Sequence, residues 1–130
     1  MAEAARELGS DRVVVVHGEG LDEVSPAGTT HWILLDQGEL LEGVWTPASF
    51  GLDPVGPAAL NPGATLDEAA AIVLEAISNP DSPRFAAALP TAGVALWVSG
   101  RAESVMEGVV LARESVVGGA ALSKLATLRL

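Results

Sequence analysis

Four consecutive β-branched residues, Val13 to Val16, run directly into a loop carrying a histidine, two glycines and three carboxylates. Such a run reads as a strand buried on both faces, which belongs in the helix-covered sheet of an α/β domain. In an open α/β sheet, ligands bind in the crevice outside the carboxyl ends of parallel strands. The stretch His17-Gly18-Glu19-Gly20-Leu21-Asp22-Glu23-Val24-Ser25-Pro26 is therefore the first candidate site. Gly18 and Gly20 permit a positive φ or a close approach to a ligand. Asp22 and Glu23 offer hard oxygen donors, which suit Mg2+ bridged to phosphates better than they suit zinc. A structural reading stands beside this one: Asp22 as a turn or cap residue, Glu23 solvated, His17 hydrogen-bonded at a strand end.

The rest of the chain punctuates itself clearly. Residues 1–8 read as a short helix with Ala5 and Leu8 on one face and Gly9 as its stop. Thr30–Leu35 and Leu40–Trp45 read as strands joined through Asp36-Gln37-Gly38-Glu39, a connection short enough to demand an antiparallel hairpin. Trp32 and Trp45 are expected to pack a sheet face, and His31 is given no role. Thr46-Pro47 opens a brief helical turn, and the three prolines between Asp53 and Gly63 mark an irregular connection.

Thr65-Leu66-Asp67-Glu68 and Ser104-Val105-Met106-Glu107 are capping boxes, each opening a helix. Between them, Ser82-Pro83 starts a nearly all-apolar helix reaching Trp97, and Pro90 should kink or break it near residues 86–89. Val105, Val109, Ala112 and Val116 form an inward stripe. Leu122, Leu125 and Leu128 lie on a final short helix and are expected in the core. At 130 residues the chain suits one domain. The fold class is α/β, with a few strands including a hairpin and about five helices.

Composition excludes several partners. A net charge of −10 argues against a nucleic-acid backbone. No apolar run reaches the roughly 18 residues of a membrane span. Glu3, Arg6 and Glu7 fall where a secretion signal would need an apolar core, so a cytoplasmic location is expected. Without cysteine, thiolate metal sites and disulfides are absent. Neither a Ser/His/Asp set nor a Walker-type loop is present, so no residue is assigned as a catalyst.

The order of residues in the loop, after a valine-rich strand, closely resembles the signature of anthranilate phosphoribosyltransferases. Thr46-Pro47-Ala48-Ser49-Phe50-Gly51-Leu52 resembles that family's Thr-Pro-x-x-Phe-Gly-Leu segment. Residues 95–102, Glu107-Gly108-Val109 and Gly119-Ala120-Ala121-Leu122 resemble its closing helices. The resemblance runs along the whole chain but covers only the C-terminal portion of a family member, so residues 1–130 are expected to be a partial phosphoribosyltransferase domain. It implies transfer of phosphoribosyl from phosphoribosyl pyrophosphate to anthranilate. It makes Asp22 and Glu23 the magnesium-binding pair and His17, Gly18 and Gly20 the substrate loop around them.

The departures also have consequences. The family's Gly-Thr-Gly-Gly-Asp diphosphate loop, its Lys-His-Gly-Asn segment and its anthranilate-binding arginine lie upstream of what is matched here. Glu68-Ala69-Ala70 replaces Glu-Asn-Ala, and Leu89-Pro90-Thr91-Ala92 replaces Leu-Asn-Ala-Ala. The chain is therefore expected to be inactive alone, and to self-associate or require an upstream complementary portion, given its 49% hydrophobic content. The alternative is a non-catalytic α/β fragment or interaction module.

Overall fold

A computed structural model describes residues 1–128 of the chain. The elements run α1 (Ala2–Glu7), β1 (Arg12–Gly18), β2 (Thr30–Asp36), β3 (Glu39–Trp45), two short 3-10 turns (Pro47–Phe50 and Pro57–Leu60), α2 (Leu66–Ser78), α3 (Pro83–Val98), α4 (Val105–Val117) and α5 (Ala120–Leu128). The α/β class, the hairpin and the five helices are as expected from the sequence. The last two residues of the expected domain, 129 and 130, lie outside the described residues.

The sheet corrects one expectation. Its order is β1-β2-β3, and both pairings are antiparallel, so no parallel crevice exists among the described residues. The valines of β1 are half-buried instead of fully buried, because β1 has a strand neighbour on one side only. Gln37 and Gly38, with φ of 49° and 89°, form the two-residue turn between β2 and β3. Two successive positive φ values match the right-handed twist of the flanking strands.

One sheet face meets the helices. Val14, Val16 and Trp32 pack against a buried cluster that includes Val24, Trp45, Phe50, Phe85, Leu89 and Val109. Trp45 is its hub: Trp32 stacks on it at 5.0 Å, and Phe50 and Trp97 meet it edge-on at 5.6 and 5.8 Å. Such aromatic pairs contribute ~0.5–1.5 kcal/mol each beyond their buried area. Arg12 ties the β1 end to α3. Its guanidinium lies 5.1 Å from the Trp97 ring centre, donates to the Trp97 carbonyl at 3.2 Å and pairs with Asp36 at 3.6 Å. On the opposite face, α1 covers β1 and β2, and Leu35 there is completely buried.

Both predicted caps form, but neither box closes on its cap residue: Glu68 and Glu107 instead accept from the preceding amides of Ala64 and Glu103, at 2.6 and 2.7 Å. Thr65 Oγ1 accepts from the Glu68 amide at 3.2 Å, and Ser104 Oγ accepts from the Glu107 amide at 3.1 Å. In α4, Val109 and Ala112 are buried and Val105 and Val116 pack against the same cluster, as the stripe requires. Pro90 does not break its helix, so of the kink or break expected the break is excluded. Helix α3 is continuous from Pro83 to Val98, with Pro90 fully buried. The packing of α3 against α4 holds the helix through the one backbone hydrogen bond that proline cannot make.

The leucines of the last helix differ from expectation: Leu128 is 68% exposed, Leu122 is exposed and Leu125 is half-buried. Helix α5 touches α2 and α4 and leaves Leu122 and Leu128 largely uncovered. Leu8 after α1 is 87% exposed. Leu66, Val73 and Val117 are exposed as well.

Candidate functional site

The loop after β1 is built from its own backbone. Backbone ladder bonds from Glu19 N to Thr29 O and from Gln37 N to Asp11 O, both 3.0 Å, extend the β1–β2 pairing at its two ends. Closely bonded rows alternate in an antiparallel pair. The rows 13/35, 15/33 and 17/31 are therefore the bonded ones, and the amides of Val14, Val16 and Gly18 point to the open edge. The loop curls back onto that edge, where Gly18 N donates to the Glu23 carbonyl at 2.9 Å.

The two glycines do different work. Gly20 adopts φ +74° with open space around it, so it supplies the turn. Gly18 supplies proximity, since a Cβ there would lie 2.5 Å from the Glu23 carbonyl oxygen and 3.0 Å from Ser25 N. The close approach expected toward a ligand is thus an approach of the loop to itself.

Beyond the turn, Val24, Ser25 and Pro26 are buried and form the loop's floor. Ser25 N donates to Thr30 Oγ1 at 2.8 Å, and Ser25 Oγ accepts from Gly28 N at 2.9 Å. Val55 N donates to the Pro26 carbonyl at 2.9 Å, which fastens the floor to the segment after the first 3-10 turn. Asp22 and Glu23 sit on this anchored base and are both exposed. Neither carboxylate takes part in an ion pair or a side-chain hydrogen bond among the described residues.

No group of three or more potential metal-ligating side chains occurs among the described residues. The donor chemistry nevertheless fits magnesium, which usually keeps several waters and takes one or two carboxylates together with substrate phosphates. Two adjacent unengaged carboxylates are of the kind that could enter such a set. His17 lies at the start of the loop and is exposed, and its register partner on β2 is His31. Sequence reasoning left His31 without a role because strand register, which joins the two, is not visible from either histidine alone.

An apolar cavity lies elsewhere. About 750 Å³ opens between α2, α3, α4 and α5, lined mainly by Phe85, Leu89, Leu96, Val116 and alanines, with Arg101 and Ser115 as its polar groups. It holds no carboxylate or imidazole. No helix among the described residues is long and apolar enough to cross a membrane.

Residues 1–122 match the glycosyl transferase family, a/b domain. The anthranilate phosphoribosyltransferase of Sinorhizobium medicae is 42% identical over 123 residues, which are 93% of this chain and 36% of that protein. The crystal structure of the Thermus thermophilus enzyme superposes with a TM-score of 0.84 at 33% identity, covering 97% of this chain and 37% of its own. The Saccharomyces cerevisiae enzyme in complex with PRPP and Mg superposes with a TM-score of 0.76 at 27% identity, covering 95% and 36%. The chain thus spans little more than a third of the length of the relatives it matches.

Proposed function

The chain belongs to the glycosyl transferase family, and on that premise we propose that it is the magnesium-holding portion of an anthranilate phosphoribosyltransferase. In this reading it serves cytoplasmic tryptophan biosynthesis and is inactive without an upstream portion. The observation that carries the reading is the pair Asp22 and Glu23, adjacent, exposed and unengaged on a loop whose floor is buried and hydrogen-bonded. The yeast relative bound to PRPP and Mg supports it.

The reaction displaces pyrophosphate from phosphoribosyl pyrophosphate by the amino group of anthranilate. Positive charge develops on the ribose and negative charge on the leaving pyrophosphate. Magnesium, when bound, offsets the second of these charges. Asp22 and Glu23 hold the ion by its hard-oxygen preference. His17, Gly18 and Gly20 shape the loop that presents them, Gly20 through its turn and Gly18 through its close backbone contact. The buried floor fixes where the carboxylates stand, so little ordering remains when substrate arrives.

The test measures anthranilate consumption with PRPP and Mg2+, by this chain alone and mixed with the unmatched portion of the Thermus thermophilus relative. The expected result is no turnover alone and magnesium-dependent turnover in the mixture. Replacing Asp22→Asn and Glu23→Gln together should lower the mixture's rate by ~100-fold or more, the scale of losing a transition-state electrostatic contact. Turnover by the chain alone, or an unimpaired double variant, would overturn the reading.

A further inference from the structure

The chain contains two histidines and no cysteine, and the fold places both histidines in one register row. His17 on β1 is the direct partner of His31 on β2, in a bonded row of the ladder, and both are exposed. Directly opposed residues of an antiparallel pair share a face, with Cβ atoms about 4.5–5.5 Å apart. Two imidazoles at that separation can turn their ring nitrogens toward one ion at ~2.0–2.1 Å from each. The third residue of the row, on β3, is Val44, and the carboxylate of Glu42 belongs to another row, opposite Ile33. The row therefore offers two nitrogen donors and leaves water to complete the coordination.

We propose that His17 and His31 form a cross-strand site for a first-row transition-metal ion of the imidazole-preferring class, Zn2+, Ni2+ or Cu2+. The site is separate in chemistry from the carboxylate loop. Imidazole selects these ions, whereas paired carboxylates and water suit magnesium. An ion held here straps β1 to β2 at the point where the acidic loop departs. The inference stands on strand register and does not depend on what Asp22 and Glu23 bind.

The experiment uses untagged chain at pH 7.5. Ni2+ alone is titrated in the presence of millimolar Mg2+, which occupies carboxylates. One saturable ion per chain is expected, with Cu2+ bound more tightly and Zn2+ no more tightly than Cu2+. His31→Ala, an exposed position, should weaken Ni2+ binding at least tenfold while leaving the circular dichroism spectrum unchanged. Zn2+, which is diamagnetic, should shift the imidazole NMR resonances of both histidines together at one equivalent. Equal Ni2+ affinity in His31→Ala, a shift confined to one imidazole, or one ion shared between two chains would each overturn the proposal.

Discussion

Replacing Thr30 by Val removes one acceptor and almost no volume, which makes it a clean probe of the loop floor. Thr30 is 1% exposed and its Oγ1 is the acceptor for Ser25 N. In Thr30→Val that amide stays buried without a partner, at a cost of ~1–3 kcal/mol. A urea unfolding curve with a lower midpoint and an unchanged slope would register it. An unchanged midpoint would mean the floor readjusts. The residue scale is also where sequence reading succeeded least evenly. A glycine in sequence signals either a turn or proximity, and only the structure separates Gly20, with its positive φ, from Gly18, with a carbonyl against its Cα. Asp22 and Glu23 stood out as hard donors from chemistry alone, but their freedom from partners depends on where the loop folds.

At the scale of elements, the crossing of α3 and α4 is set by two facing glycines. A Cβ built on Gly108 would press into the backbone carbonyl of Gly93, and one built on Gly93 would meet Val109 Cγ2 at 2.8 Å. Gly108→Ala should therefore push the helices apart and destabilise the chain by ~1–3 kcal/mol or more. Gly56→Ala, with nothing within 4 Å, should stay within ~0.5 kcal/mol of the parent, and thermal or urea unfolding of the pair separates the two cases. Helix starts were legible because Thr65, Ser82 and Ser104 announce their caps locally. The passage of α3 through Pro90 was not, since tertiary packing there overrides a local rule. The pairing direction of β1 was misread for a related reason: a valine run looks the same whether its neighbours lie parallel or antiparallel, and whether one side or both are occupied.

At the scale of the whole molecule, exposed apolar side chains at Leu8, Leu66, Val117 and Leu128 are spread along the chain, from the end of the first helix to the last. The composition foretold such surface, though the α5 leucines were expected inside. Burying apolar area is worth roughly 25 cal/mol per Å², so surfaces of this kind favour a partner. Sedimentation velocity over a range of concentrations should show the isolated chain associating, and addition of the unmatched portion of a relative should suppress that association. A single monomeric species at every concentration would refute the expectation. The connectivity of the sheet shapes how the chain reaches its fold. Every strand pairs with the next in sequence, across residues 19–29 in one case and Gln37-Gly38 in the other. Hairpins of that kind close in ~1–10 μs, and short loops carry little closure entropy. The sheet can therefore assemble as the chain emerges during synthesis, without waiting for a distant strand, leaving the slower docking of helices to decide when folding is complete.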